Sequence, residues 1–296
     1  MKTAFAGLFW LLTFSLTAQR LPQVNLLYFT LNKQADGSWQ PSGARFLNAF
    51  NPRGYNNQPC FFPSGEIYLT VQEASDTSQT DIFALDLALS TRSRVTATRE
   101  SEFSPTPMPG GRQLSVVRVE SDNRQRLWAL PLDRSNGGYP VFPDLGNVGY
   151  HCWLRDTLCA LYLVGEDNEH PDKLVLAGTK SQKPLWIASK IGRCLLKTPD
   201  DKLAYVQKAT DQTWFLKTYD LRAQKSDIVV KTLPGSEDFV VLPDGTYLAG
   251  NGPKLYQYKP GVQTDWKEIA NLSRYGVKKI TRLAYGKDNR LAVVVE

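Results

Sequence analysis

The sequence has few of the residues and motifs on which common catalytic sites depend. It contains two histidines, His151 and His170, among 296 residues, so a zinc site built on imidazole ligands is not expected. The serine-hydrolase motif Gly-x-Ser-x-Gly and the zinc-protease motif His-Glu-x-x-His are both missing from the sequence. These absences argue against the common hydrolase classes, and we expect no cofactor.

Apolar residues at helical spacing are also scarce, and turn-forming residues recur about every ten positions, which is typical of an all-β protein. One long apolar run exists at residues 4–16, between Lys2 and the polar pair Gln19-Arg20. It is shorter than the ~20 residues that a helix needs to span a bilayer, so we interpret residues 1–18 as a signal peptide. A first core strand is the alternative interpretation.

Removal of this leader would leave residues 19–296 as the mature protein, which we expect in the periplasm or outside the cell and not within a membrane. Hydrophobic residues make up 42% of the sequence, enough for a sizeable core. The first cysteine is Cys60, so the usual lipid attachment site directly after a signal peptide is missing. We therefore predict a single exported domain.

One hairpin pattern returns along the chain at an almost constant interval. Its clearest copy is residues 58–71, in which an apolar strand ends at Pro63-Ser64-Gly65 and a β-branched and aromatic strand leaves the turn. The six turns are centred on Gly65, Gly111, Asp156, Asp201, Gly245 and Asn289, with separations of 46, 45, 45, 44 and 44 residues. A period in this range is typical of a β-propeller with one such hairpin in each blade.

The two ends of the sequence each carry half of a repeat. Residues 25–31 resemble the third strand of the later repeats, and residues 44–50 are predicted to form a fourth strand. The sixth repeat supplies two strands, at residues 280–285 and 291–295. A ring closes without an exposed sheet edge if the N-terminal pair completes the last blade. The sequence therefore predicts an all-β fold, a six-bladed β-propeller closed by its N-terminal strands.

Four short motifs characterise the clearest repeats. They are Ser104-Pro105, Pro243-Asp244-Gly245, Asp81-Ile82-Phe83 and Arg94-Val95-Thr96. They resemble the Ser-Pro entry, Pro-Asp-Gly turn, third strand and Arg-Leu-Thr-like outer strand of the TolB-type propeller repeat. The resemblance implies a six-bladed propeller of a kind found in periplasmic and secreted proteins. It implies no particular reaction, because propellers serve many functions.

The four cysteines are Cys60, Cys152, Cys159 and Cys194. Cys152 and Cys159 lie at equal distances from a turn at Arg155-Asp156, which would place their Cβ atoms ~5 Å apart on one face of the hairpin. In an exported protein such a pair can form a disulfide. Two buried thiols in blade three are the alternative. Cys60 and Cys194 fall in blades on opposite sides of the ring, and we expect them to be separate core residues.

Basic residues are concentrated near the end of the sequence. Residues 247–296 contain nine Lys or Arg and four Asp or Glu. Attraction to an anionic partner is one interpretation, and a solvated set of outer strands is the other. The positive residues do not alternate with stacking aromatic residues as they do in nucleic-acid grooves, so no nucleic-acid partner is expected.

The residues that begin the inner strands of a propeller converge on one mouth of its channel. In this sequence the predicted set is Tyr55, Asn57, Gln58, Glu102, Tyr150, His151, Arg193, Asp238, Lys279 and Arg282. Polar groups of both signs and aromatic rings on rigid strands favour a recognition site. We therefore expect a non-catalytic propeller that binds a protein, a peptide or an envelope glycan through this mouth.

A metal-dependent hydrolase or lactonase, with a divalent ion on the propeller axis, is the alternative function. Asn57, Glu102 and Asp238 could supply oxygen ligands of the kind that calcium and magnesium use. Lys279 and Arg193 enter the ring at equivalent places, and their charges would repel a cation. The sequence therefore favours the binding function over the metal site.

Overall fold

The computed structural model describes residues 21–181 and 183–296, so the predicted signal peptide at residues 1–18 lies outside the described part. Within these two ranges the regular elements are β-strands and one 3₁₀ turn, Ser273–Tyr275. The strands form six four-stranded antiparallel sheets, which confirms the predicted all-β, six-bladed propeller. No helix among the described residues is long and apolar enough to cross a membrane.

The first two strands of the described residues are β1 (Asn25–Lys33) and β2 (Trp39–Phe46). Blade one contains β3 (Tyr55–Phe61), β4 (Ile67–Gln72), β5 (Asp81–Asp86) and β6 (Thr91–Arg94). Blade two contains β7 (Ser101–Pro107), β8 (Gln113–Val119), β9 (Gln125–Pro131) and β10 (Tyr139–Pro140). Blade three contains β11 (Val148–Arg155), β12 (Leu158–Leu163), β13 (Lys173–Gly178) and β14 (Leu185–Ser189).

The second half of the ring follows the same plan. Blade four contains β15 (Ile191–Lys197), β16 (Leu203–Lys208), β17 (Trp214–Asp220) and β18 (Lys225–Lys231). Blade five contains β19 (Phe239–Val241), β20 (Tyr247–Asn251), β21 (Lys254–Tyr258) and β22 (Lys267–Asn271). Blade six begins with β23 (Ile280–Gly286) and β24 (Arg290–Val295).

Blade six is completed by the N-terminal strands, as predicted. Its strand order is β23-β24-β1-β2, and β1 pairs with β24 in antiparallel register with Asn25 opposite Val295. The outer strand lies earlier than the predicted residues 44–50, because a short turn lets pairing begin with Trp39 opposite Lys33. The ring therefore closes through hydrogen bonds between the first and last strands of the described chain.

The apolar core lies between the blades. Neighbouring residues of one strand pack into different interfaces: Leu26 packs between blades six and one, and Leu27 packs between blades five and six. Six apolar clusters of this kind, one at each interface between blades, surround the axis. Because both faces of a blade are covered, a strand such as β4 is buried throughout, including its polar residues Thr70 and Gln72.

The strand directions give the ring two faces. The inner strands β3, β7, β11, β15, β19 and β23 contact one another in a ring and all begin on one face, which we call the mouth face. The turns between first and second strands lie on the opposite face, the turn face. Gly65 and Gly245 adopt φ values of +95° and +81° in these turns, as expected where glycine is favoured.

The structure contains no disulfide between Cys152 and Cys159; both residues are free thiols. The turn of this hairpin lies one residue later than predicted, and Leu154 is an extra residue in β11, so that Cys152 pairs with Ala160 and Cys159 with Trp153. The two thiols therefore face different blade interfaces. All four cysteines are free.

Candidate ligand-binding site at the channel mouth

Two adjoining cavities lie at the mouth face and share lining residues. The outer one, the mouth pocket, has a volume of about 510 Å³ and is lined in part by Asn57, Arg193, Asp238 and Lys279. The inner one, the axial cavity, has a volume of about 180 Å³ and is lined by residues from all six blades. Arg193 and Asp238 line both cavities, so they lie between the two.

Arg193 and Asp238 form the central ion pair of the site. Arg193 lies near the start of β15, and its Nε donates a hydrogen bond to Asp238 Oδ2 at 2.7 Å; its Nη2 lies 2.6 Å from the same oxygen in the ion pair. Nη2 also donates to the carbonyl oxygen of Thr281 at 2.8 Å, which ties blade four to blade six. Burial disfavours the charged form of Arg193, but the carboxylates of Asp238 and Glu237 outweigh burial and raise its pKa. Arg193 is therefore a fixed positive charge.

Arg282, on β23, extends this network across the channel. Its Nη2 donates to the Tyr150 hydroxyl at 2.7 Å, and its guanidinium carbon lies 4.9 Å from the centroid of the same ring. Its Nη1 lies 3.7 Å from Asp238 Oδ1, which is too long for a hydrogen bond. The structure thus brings together Arg193, Asp238, Arg282 and Tyr150 of the predicted set.

The first three predicted residues are mostly engaged within the fold. Burial raises the pKa of Tyr55 to about 12, so its hydroxyl stays protonated. Gln58 Oε1 accepts hydrogen bonds from Thr70 Oγ1 at 2.7 Å and from the Ser104 amide at 2.9 Å, which joins blades one and two. Asn57 lines the mouth pocket, and its side-chain oxygen accepts a hydrogen bond from the Gln58 amide at 2.7 Å. Asn57 and Gln58 therefore shape the wall.

Glu102 does not lie on the mouth surface, contrary to prediction. Its side chain is fully buried inside the ring, where Oε1 accepts hydrogen bonds from Thr98 Oγ1 at 2.5 Å and from Arg118 Nε at 3.1 Å. Oε2 is buried without a partner. Burial raises the pKa of Glu102 to about 7, against the opposing effects of Thr98 and Arg118. Glu102 is thus a titratable core group.

His151 lines the axial cavity but is almost completely buried. Its Nε2 lies 2.7 Å from Ser115 Oγ, and that oxygen also accepts a hydrogen bond from Trp153 Nε1 at 3.0 Å. Burial lowers the pKa of His151 to about 3, so the ring is neutral. Cys60, Cys152 and Cys194 also line this cavity, and Cys60 and Cys194 pack against different blade interfaces.

The sequence-based set missed an extension of the site toward blades three and four. Lys208 Nζ lies 3.0 Å from Glu237 Oε2 and 4.9 Å from the ring centroid of Trp214. Lys208 and Trp214 border a further cavity of about 330 Å³ beside the acidic loop at residues 165–172. Both flank the loop between β16 and β17, and such loops also open on the mouth face. Including the loops between second and third strands in the predicted mouth would therefore have identified Lys208 and Trp214.

The geometry gives no support to the metal site considered as the alternative. Asp238 is paired with Arg193, and Glu102 is enclosed beside Arg118, so these two carboxylates do not converge with Asn57 on the axis. Among the residues that the structure describes, no three His, Cys, Asp or Glu side chains form a group that could hold a metal ion. The axial charges are instead paired with each other.

Comparison with known proteins supports the fold. No protein-family model and no curated protein matches the sequence. A putative TolB from Agrobacterium tumefaciens is similar in structure with a TM-score of 0.67 and 10% identity, over 92% of this chain and 98% of that one.

Two further solved structures share the fold. A chain of a nidogen/laminin complex has a TM-score of 0.61 and 12% identity, over 92% of this chain and 98% of that one. An oligogalacturonate lyase from Vibrio parahaemolyticus has a TM-score of 0.55 and 11% identity, over 90% and 97%. Identities this low show the fold alone. The chain is a six-bladed β-propeller with the fold of the TolB-type propellers.

Proposed function

We propose that this protein is an exported, non-catalytic propeller that binds a protein, a peptide or an envelope glycan through its mouth face. The observation that carries the proposal is the pair of adjoining cavities at the mouth, which share lining residues and are lined by charges of both signs. Binding sites are commonly concave, largely pre-formed and furnished with a few fixed polar groups. The mouth face has each of these properties.

The fixed charges of the site are suited to orienting a ligand. Arg193 is anchored by Asp238 and by the Thr281 carbonyl, so its position costs little to maintain during binding. Lys278 and Lys279 stand at the edge of the mouth pocket with exposed side chains. A charged rim of this kind steers a partner and determines its orientation more than it adds affinity.

The size of the face suits an extended ligand. The cavity beside Trp214 is linked to the mouth pocket through Lys208 and Glu237, which lies on the wall of that pocket. The combined surface therefore runs from blade six to blade three. Among the structural neighbours, one belongs to a nidogen/laminin complex and another is named as a lyase of oligogalacturonate. Proteins and sugar polymers are thus both compatible with this fold.

Export is supported by the leader-like residues 1–18 and by the TolB-type fold. Exported propellers meet their partners in the cell envelope, so an envelope extract from the native organism is the appropriate source of ligand. The full chain, immobilised as bait, would recover the partner, and biolayer interferometry would then measure the affinity.

The test uses two matched charge reversals at the two ends of β23. Lys279→Glu changes the mouth face, and Lys287→Glu changes the turn face; both lysines are exposed. We expect Lys279→Glu to change affinity for the recovered partner by about tenfold or more, corresponding to about 1.4 kcal/mol. Lys287→Glu should leave the affinity unchanged. Equal effects of the two variants, or a loss confined to Lys287→Glu, would refute binding through the mouth.

A further inference from the structure

Arg282 is the least satisfied charge on the wall of the axial cavity. Its side chain is 11% exposed, yet its guanidinium donates one hydrogen bond within the described structure, to Tyr150, although an arginine carries five N–H groups. Nε is buried without an acceptor. Nη1 donates no hydrogen bond either, but unlike Nε it is not fully enclosed by the protein. Nη1 is therefore the donor that remains open to the cavity.

The nearby carboxylates are committed to other cations. Asp238 Oδ2 accepts a hydrogen bond from Nε of Arg193 and forms an ion pair with its Nη2, and Glu237 is shared between Arg193 and Lys208. This cluster therefore holds three cations, Arg193, Lys208 and Arg282, and two carboxylates. The excess positive charge falls on Arg282, whose contact with Asp238 is long at 3.7 Å.

We propose that the axial cavity binds a carboxylate group of the ligand, with Arg282 as its counter-ion. A buried cation without full pairing is costly, and an anion that supplies the missing hydrogen bonds removes this cost. Carboxylates match the guanidinium in both charge and geometry. The proposal rests on the proposed function, because it assigns one chemical group of the ligand that binds at the mouth.

The dimensions of the cavity define how the carboxylate enters. A volume of about 180 Å³ accommodates a single small group and not a folded domain, while the mouth pocket above it accommodates the rest of the ligand. Tyr150 and Pro59 line the same cavity and supply apolar surface around the charge. An acidic side chain or chain end of a peptide and a uronic acid unit of a glycan both carry this group, and the test separates them.

Isothermal titration calorimetry at pH 7 provides the test, with paired charged and neutral probes. N-acetylglutamate α-amide and N-acetylglutamine α-amide form the peptide pair, and galacturonate and galactose form the sugar pair. We expect at least one carboxylate probe to bind with a Kd on the order of 1 mM, a plausible strength for a small ligand, and its neutral partner to bind at least about tenfold more weakly. The probe that binds identifies the source of the carboxylate.

Two variants and a control connect this binding to Arg282. Arg282→Gln should abolish carboxylate binding, and Arg112→Gln, the same change at an exposed arginine of the turn face, should not alter it. Asp238→Asn removes the negative charge that lies 3.7 Å from Arg282 Nη1 and would repel an incoming carboxylate, so it should tighten binding by about tenfold. This gain remains a valid test if Arg282→Gln fails to fold.

The proposal is overturned if no carboxylate probe binds, if neutral probes bind equally well, if folded Arg282→Gln retains affinity, or if Asp238→Asn produces no gain. Failure of the carboxylate test together with weaker partner binding by Lys279→Glu would leave the mouth as the binding face and reject only the carboxylate. Failure of both experiments would reject the two proposals together.

Discussion

Glu102 should make the stability of this protein depend on pH in an identifiable way. Burial raises its pKa from 4.5 to about 7. The folded state therefore binds a proton more tightly than the unfolded state, and the stabilisation is fully present below pH 4.5 and is lost as the pH rises through about 7. At about 1.4 kcal/mol per pKa unit, the carboxyl group should contribute on the order of 2 to 3 kcal/mol more at pH 5 than at pH 8.

Glu102→Gln isolates this contribution. His151 acts in the opposite direction, because burial lowers its pKa to about 3, so acidification through the ordinary range of histidine favours the unfolded state. The difference between wild type and Glu102→Gln cancels that effect, since both proteins contain His151. Glutamine keeps the shape of the carboxyl group, and Arg118 retains Glu100 at 3.5 Å and the ring of Trp128 at 4.3 Å.

The assay is urea unfolding of both proteins at pH 5 and pH 8, followed by tryptophan fluorescence. We expect wild type to gain on the order of 2 to 3 kcal/mol relative to Glu102→Gln when the pH is lowered from 8 to 5. An unchanged difference between the two proteins at both pH values would refute the reasoning. That result would mean that Arg118 keeps Glu102 ionised in the folded state despite its burial.

Three further predictions concern the ring itself. Gly245→Ala should lower the free energy of unfolding by about 1 kcal/mol, because the turn requires a φ of +81° while an added Cβ would meet no atom within 4 Å. The control is Gly146→Ala, which should be neutral because its φ is ordinary and the space around it is equally open. Equal effects of the two variants in denaturant titrations would contradict the explanation. Deletion of residues 20–51 should expose the edge of β24 and cause self-association, so a monomer with unchanged thermal unfolding in light scattering and calorimetry would show that the ring does not need these strands. A thiol titration of denatured, unreduced protein should count four free cysteines, and a count of two would restore the disulfide.

The overall fold could be predicted because the turns repeat with a constant spacing. Each blade needs about the same number of residues to cross from one face to the other and back. Equivalent turns, such as those at Gly65, Gly111 and Gly245, are therefore evenly spaced in the sequence. Closure by the N-terminal strands followed from the need to cover a sheet edge. The pairing of β1 with β24 confirms that argument.

The site was only partly predictable, because the local register of each inner strand decides which of its side chains point toward the channel. Gln58 and Ser104 both adopt a φ of +54° at the same irregularity of β3 and β7. Glu102 and Asn56 each precede these residues by two positions, and both are fully buried. Alignment of the two Xaa-Pro pairs would have shown that Glu102 corresponds to Asn56 and not to Asn57.

The same limitation applies to the two cysteines of blade three. Counting residues from a presumed turn cannot detect an extra residue such as Leu154, which moves Cys152 to the other side of the strand relative to Cys159. The polar contacts of the mouth also join residues far apart in sequence, such as Tyr150 and Arg282. No local pattern in the sequence encodes such contacts.

Hydrogen–deuterium exchange with and without the recovered partner tests the central claim most directly, because it reports on both faces of the ring in one experiment. We predict slower amide exchange on the mouth face, in the loops at residues 164–172, 234–238 and 276–279. Exchange in the turns at residues 62–66, 242–246 and 287–289 should be unchanged. The turn face has its own depression of about 600 Å³, lined by Phe61 and Tyr285, and protection confined to those turns would contradict binding through the mouth.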